Sequence, residues 1–366
     1  MRLRTIRCFL YDSEASALLI QGLVRYIQTG SLKNVILQKS WVNGFHISTT
    51  TPVSEACSGL EDLIRRMAAR YAKERSREEY DGFRETLHKL AKRETYTGDY
   101  LPLYRDGEVI VEENDLLPGG VPFCSPRINY RVELLKSQLL TDIYHEWEEL
   151  PEERQNIECA KMFLITGSRS PGGLKTGYLP LRSNCGGFKS LRGMIGQEAI
   201  ADADIREGLL LRTDLEKEFI AEGVRKFSNG YFEREFIFGR LRIFIHSLSS
   251  MLTRAYNEGE LEVEKLSLGD HFLEGHDRMN EVHRMLYSNP WFLRHYREKG
   301  FIINRCVASV LYSLMSMLGI SPPRHQKIIG LTAECVESGF NMDWRDAYRH
   351  LEMKLAGETD YGKLVY

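Results

Sequence analysis

The stretch VILQKSWVNGFHI, residues 35–47, decides how the first third of the chain folds. Val35, Leu37, Phe45 and Ile47 bracket Asn43-Gly44, and Asn-Gly between extended apolar runs is a strong hairpin signal, because both residues tolerate the positive φ of a tight turn. A β-hairpin is therefore expected near residues 34–50. Upstream, Leu3, Ile6 and Phe9 lead into a helical pattern around Ala15 to Ile27, with Leu18, Leu19, Leu23 and Val24 on one face. Downstream, Ser58-Gly59-Leu60-Glu61 has capping-box form, and Leu60, Leu63, Ile64, Met67, Ala68 and Tyr71 continue a helix expected to run to about Arg93, with the charge run Lys73 to Glu79 on its solvated side.

Residues 96–130 are punctuated by Gly and Pro, leaving room for a short strand at Glu108–Val111. Helical periodicity returns at Leu134, Leu135, Leu139, Ile143 and Trp147, and after Pro151 at Ile157, Ala160, Phe163 and Leu164. A second Gly-rich interruption covers about 168–196. Helices are expected beyond it at 210–225, 231–257, 270–287, 291–318 and 322–338, the last two separated by Gly319-Ile320-Ser321-Pro322-Pro323. Extended segments early and helices later predict an α+β fold with a largely helical C-terminal half.

Composition narrows the function. Lys and Arg number 49 against 51 Asp and Glu in 366 residues, a net charge of −2, which argues against a generic polyanion binder and direct DNA contact. The apolar patch Cys8–Tyr11 is too short for a signal sequence, and Cys306–Ile320, broken by serines, reads as a buried helix and not a membrane span. Seven scattered cysteines without a CxxC pair suggest neither disulfide framework nor zinc knuckle, so a reducing cytoplasm is expected.

Three groups of residues could carry chemistry. The hairpin would present Lys39, Trp41 and His46 close together, where a peptide could stack, although Trp41 and Phe45 also suit plain packing. The run Gly172–Phe188 invites a phosphate-loop reading, but Tyr178 and Pro180 follow Gly177 where that loop needs Lys and a helix. His271, His276 and His283 lack the three- or four-residue spacing of helical zinc ligands, and Cys185 has no histidine near it in sequence, so no metal or thiol site is implied.

Three separated segments together resemble the family of C-terminal domains of lantibiotic dehydratases and their stand-alone relatives in thiopeptide biosynthesis. LQKSWVNGFHI (37–47) is similar to an aromatic residue followed by Gly-Pro-His and an apolar strand, with Phe45 in place of Pro. PGGLKTGYLPLRSNCGGF (171–188) resembles Gly-Leu-x-x-Gly-Phe/Tyr-x-x-x-Arg-Ser-His, and LYSLMSMLGISPPRHQKIIGLTAECVE (311–337) resembles the closing helix pair that ends in Val-Glu. The resemblance implies one elimination-domain-like domain over residues 1–366, acting without a cofactor on a leader-bearing precursor peptide. Two departures matter: Asn184 stands where a histidine follows Arg-Ser, and Gly330 stands where the last helix carries another. Glutamate elimination needs a base and an acid, whereas pyridine synthases of this family, which join two dehydroalanines by a formal aza-[4+2] cyclisation, rely more on positioning. The resemblance thus implies a cyclase with Tyr178, Arg182, Ser183 and Asn184 as catalytic residues and Lys39, Trp41 and His46 contacting the substrate. The alternatives are glutamate elimination beside a separate glutamylating dehydratase subunit, with His46 as base, and a non-catalytic precursor-binding subunit; a homodimer is left open.

Overall fold

The computed structural model describes residues 2–30, 32–55, 58–93, 96, 98–117, 124–170, 172–184, 213–228, 236–261 and 281–357. These divide into two compact units, one of Met1–His145 with Ser316–Gly319, the other of Glu146–Met315 with Ile320–Tyr366. The fold is α+β, and among the described residues the strands lie in the first unit.

The first unit carries β1 (Leu3–Phe9), α1 (Ser13–Thr29), β2 (Ile36–Ser40), β3 (His46–Pro52), α2 (Ser58–Tyr71), α3 (Arg77–Arg93), β4 (Val109–Asn114) and most of α4 (Pro126–Glu149). The strands form an antiparallel sheet in the order β2-β3-β1-β4. The expected hairpin is β2–β3, with Ser40 opposite His46 and both Asn43 and Gly44 at positive φ, 61° and 121°. Leu10 and the segment 100–104 close around that turn: Leu10 donates to the Phe45 carbonyl, Asn43 N–H to the Tyr100 carbonyl, and Tyr104 N–H to the Asn43 carbonyl.

Strand side chains alternate between faces, and the register assigns them. Ile6, Cys8, Leu37, Ile47, Val109 and Val111 share the face on which α2 packs, where Arg4 pairs with Glu61. Thr5, Arg7, Gln38, His46, Ser48 and Thr50 share the other, whose Leu3–Ile36 end meets Tyr130 and Leu134 of α4. Ser137 of α4 both donates to and accepts from the backbone of Leu37, capping the outer edge of β2.

Two expectations need correction here. The long helix from residue 60 to 93 is two helices: Ser76 Oγ accepts from Glu79 N–H while the Glu79 carboxylate accepts from Ser76 N–H, a reciprocal capping box that starts α3 anew. The charge run Lys73–Glu79 is therefore a helix break, and Arg75 bridges Glu79 at 3.0 Å and the buried Asp106 at 2.8 Å. The short strand expected at 108–111 lies at Val109–Asn114.

The second unit contains α5 (Glu152–Ser168), α6 (Leu174–Gly177), α7 (Leu179–Asn184), α8 (Thr213–Ser228), α9 (Phe236–Asn257), α10 (Glu281–Ser288), α11 (Pro290–His295), α12 (Lys299–Met317), α13 (Pro322–Phe340) and α14 (Trp344–Gly357). Helix α5 is its hub: residues Asn156–Ile165 are buried almost all round, as a helix must be when neighbours enclose it, and α6, α8, α9 and α13 pack on it. Arg324 at the start of α13 ties in with hydrogen bonds to Asn156 Oδ1 (2.6 Å) and Gln155 Oε1 (2.9 Å). Helix α12 is long and apolar enough to cross a membrane by composition, but Ile302, Cys306, Val307, Val310, Leu311 and Leu314 are buried in the protein, as expected of a core helix.

Two further expectations change. The helix read at 291–318 is split into α11 and α12, with Asn289 capping the first through Trp291 and Phe292 N–H groups. The Gly-rich interruption contains two short helices, α6 and α7. Of the helix expected at 270–287, residues 281–287 are described, and 270–280 lie outside the described residues, as does 185–196 of the second interruption.

Gly177 closes α6 directly onto α5: a Cβ there would sit 1.9 Å from the Gly167 carbonyl oxygen. Gly177→Ala should therefore cost at least about 2–3 kcal/mol of stability, the upper range of overpacking. Gly82→Ala, in exposed α3 with nothing within 4 Å of the new methyl, should stabilise by about 0.5–1 kcal/mol. Urea denaturation of the two variants checks the contrast, and equal effects would refute it.

Candidate active site

Gly172 and Gly173, both at positive φ, turn the chain out of α5 into α6, and the Gly167–Gly177 contact then seats the next residue, Tyr178, at zero exposure. No phosphate loop is built here; the glycines serve the turn and the close approach. One helical turn further, Arg182 faces α13, which packs on both α6 and α7. Glu337, near the end of α13, receives both side chains: Tyr178 Oη donates to its Oε1 at 3.3 Å, and Arg182 Nε lies 3.2 Å from the same oxygen. The second oxygen, Oε2, has no partner among the described residues, and the Glu337 side chain keeps 15% of its surface accessible. The α13–α14 corner follows at once, with Asn341 in the left-handed conformation and Met342 N–H returned to the Glu337 carbonyl.

The electrostatics of this trio are set by burial. Desolvation raises the Glu337 carboxyl above its ordinary value, against the pull of Arg182 and the Tyr178 hydrogen bond, and Asp343 adds to the rise. Burial likewise pushes the Tyr178 phenol far up, reinforced by the neighbouring Glu337 charge, so Tyr178 stays protonated and acts as a donor. A carboxyl of raised pKa with one free oxygen, next to a fixed phenol donor and a guanidinium, can exchange a proton with a ligand and hold its oxygen.

Ser183 is buried, and its hydroxyl donates to the Pro180 carbonyl at 2.8 Å within its own turn, so that hydrogen is committed locally. Asn184 ends α7, and its side chain lies outside the described residues, as do Cys185, His271, His276 and the side chain of His283. Gly330 lies mid-way along α13.

The hairpin trio is arranged differently from the expectation of three groups side by side. Lys39 pairs with Ile47 and His46 with Ser40, so Lys39 and His46 project from opposite faces of the sheet. Lys39 is exposed at the edge. His46 is buried against Phe9, ring centroids 4.7 Å apart, with Nδ1 2.9 Å from the Gly44 carbonyl. Burial, assisted by the Arg7 charge, lowers its pKa to about 4 despite that hydrogen bond, which leaves the ring neutral near pH 7. Trp41 sits in the turn among Tyr96 and Tyr100, at 5.3 and 6.1 Å.

Glu337 was absent from the residues singled out above, although Val336-Glu337 closes the third family-like segment; its chemistry appears only once Tyr178 and Arg182 are folded against it. A shallow cavity of about 550 Å³ also lies in this unit, lined by Lys175, Phe340, Met342, Asp346, Arg349 and Met353 among others, but not by Tyr178, Arg182 or Glu337.

No family model matches the sequence, and no curated protein matches it in a sequence search. Solved structures do share the fold. The pyridine synthase TbtD from thiomuracin biosynthesis is 13% identical with a TM-score of 0.58, the match covering 93% of this chain and 99% of that one. TsrL is 14% identical, again with a TM-score of 0.58, over 95% of this chain and 98% of its own. Both likenesses run nearly end to end.

The raised carboxyl makes a stability prediction. A pKa higher in the folded state than the ordinary 4.5 favours folding while the group is protonated, and that contribution is lost as pH rises through the folded value. Glu337→Gln cannot ionise and escapes the loss. The unfolding free energy of Glu337→Gln minus that of the wild type should thus grow more positive from about pH 4 to about pH 8. A flat or falling difference in urea titrations would count against a carboxyl raised by burial.

Proposed function

We propose that this chain is a maturation enzyme for a ribosomally synthesised, post-translationally modified peptide, and that its reaction is the formal aza-[4+2] cyclisation of two dehydroalanines to a pyridine-type ring with release of the leader peptide. The observation that carries the proposal is the likeness of fold to the thiomuracin pyridine synthase over 93% of this chain and 99% of that one. The Tyr178–Arg182–Glu337 cluster supplies groups suited to the chemistry.

In the proposed reaction one dehydroalanine and its preceding amide act as a 2-azadiene, which forms when the amide N–H proton moves to the carbonyl oxygen. Glu337 takes the amide N–H proton on its free oxygen and delivers it to the carbonyl oxygen, which the Tyr178 phenol, turning from Glu337, holds in place. Two carbon–carbon bonds then close the ring with the second dehydroalanine. Glu337 removes a proton from the neighbouring ring carbon and gives it to the hydroxyl that leaves the former amide carbon as water, and a second ring C–H proton goes to the leader, which departs as its amide, giving the aromatic ring. Arg182 steadies the Glu337 carboxylate between proton transfers. Ser183 and Asn184 follow Arg182 in α7 and stay proposed members of the site; of the hairpin residues, His46 contacts the peptide and Trp41 flanks it from the turn, while Lys39 projects from the opposite face of the sheet.

Elimination of glutamate with a separate glutamylating subunit is the less favoured alternative, since a His46 with a pKa near 4 is a weak base. We place the enzyme in the reducing cytoplasm, which suits the free cysteines Cys8, Cys124, Cys159, Cys306 and Cys335.

Incubation with the cognate dehydrated precursor should produce a mass loss equal to water plus the leader, and Glu337→Gln or Tyr178→Phe should lower kcat by about 10²–10⁴. Recovery of unchanged peptide from the wild type would sink the cyclase reading.

Peptide binding should depend weakly on salt, because a nearly neutral chain holds a peptide through main-chain pairing and apolar anchors. Precursor affinity is expected to change less than about tenfold between low and moderate salt. A steep salt slope, or tight binding of tRNA, would shift the assignment towards glutamyl-tRNA-dependent elimination.

A further inference from the structure

The sheet of the first unit has a polar face where a sheet in a folded protein is ordinarily apolar. Across its middle rows lie Gln38, Ser48 and Arg7 in register on three adjacent strands, with His46 two residues from Ser48 along β3. Gln38, His46 and Ser48 are only 7%, 6% and 4% exposed. Leaving polar groups of this kind unpaired in the interior costs free energy, and Ser137 and Thr50 in the same unit are paired accordingly. Yet the Gln38 carboxamide and the Ser48 hydroxyl have no hydrogen-bond partner among the described residues, and neither does Nε2 of His46. The few per cent of surface left to each residue is the opening through which a ligand reaches the row.

The chemistry of the row specifies its ligand. The Gly44 carbonyl can only accept, so His46 Nδ1 carries the proton and Nε2 is a bare acceptor. Gln38 offers a donor and an acceptor, and Ser48 a hydroxyl that can do either. The charge of Arg7 on this face is neutralised by Glu112 at 2.8 Å. The surface therefore asks for a neutral group rich in both N–H and C=O, not for an anion. Geometry agrees: Gln38 and Ser48 are cross-strand neighbours about 5 Å apart, and His46 and Ser48 are about 6.6 Å apart along the strand, the two-residue repeat of an extended chain.

We infer that the Gln38–Ser48–His46 row is a recognition site for the backbone amides of an extended peptide. His46 Nε2 accepts a peptide N–H, and Gln38 pairs with both groups of an amide on the neighbouring strand. Lys39, on the opposite face, takes no part. This deepens the proposed function by giving the first unit a defined role in holding the precursor's main chain, and rests on that reading only for which peptide is bound.

The test is binding, not turnover. Titrating the full ¹⁵N-labelled chain with acetyl-trialanine N-methylamide should give saturable shifts of the Gln38 side-chain NH₂ and of the Ser48 and His46 backbone amides in TROSY spectra, while sodium phosphate moves none of them. Gln38→Glu, which keeps the shape but loses the donor, and Ser48→Ala, which removes a single oxygen, should each weaken the probe at least tenfold. The inference is overturned by resonances that do not move, by affinities unchanged in either folded variant, or by phosphate shifting the row more strongly than the amide. Since no product is measured, a chain that binds the probe here but leaves dehydrated precursor unchanged contradicts the cyclase proposal alone. A chain that cyclises precursor yet binds the probe equally well after Gln38→Glu contradicts the amide row alone.

Discussion

The contact on which the second unit's chemistry depends is between two pieces of backbone, Gly167 in α5 and Gly177 in α6. With no Cβ at residue 177 the two helices meet at a distance that any other residue would fill. That meeting puts Tyr178 into the interior and brings Arg182, one turn later, to the side of α13 that carries Glu337. Moving α6 outward by the radius of a methyl group would lengthen a 3.3 Å hydrogen bond beyond use. The site's acid–base character follows from the same packing, because burial raises the Glu337 carboxyl and keeps the Tyr178 phenol protonated.

The first unit works by a different division of labour. One sheet face joins α2 in an apolar core, and the other presents hydroxyl, amide and imidazole groups. A face of that composition contributes less to stability per unit area than an apolar one. It also gives the fold directional groups on rigid strands, where spacing is set by the ladder and not by loop conformation. The turn at Asn43-Gly44, clasped by residues 100–104, fixes the register that puts His46 and Gln38 on the same side.

Both units illustrate polar groups whose roles differ from their sequence appearance. His46 and Lys39 read as close neighbours in a short hairpin, and Ser183 as a catalytic residue of the Gly-rich run. Two-residue alternation puts Lys39 and His46 on opposite faces, and the helical turn of α7 gives Ser183 the Pro180 carbonyl as acceptor. Glu337, the last residue of the third family-like segment, has no role assigned by its sequence context and is the group on which Tyr178 and Arg182 converge.

The sequence by itself determined the local elements whose signals lie within a few residues: the Asn-Gly hairpin, the apolar stripes of α1, α2, α4 and α5, the Ser-Pro-Pro start of α13, and the order of strands before helices that makes the chain α+β. Short-range steric and hydrophobic periodicity is sufficient for these. It missed the second capping box at Ser76–Glu79 within a continuous charged run, the short helices hidden in the Gly-rich segment, and α14 altogether, whose Trp344–Gly357 span was not read as a helix. Only the tertiary structure decided which polar residues meet, because Tyr178 and Glu337 are separated by 159 positions along the chain. Their hydrogen bond, and the burial that tunes both groups, exist only after α6, α7 and α13 have packed around the glycine contact.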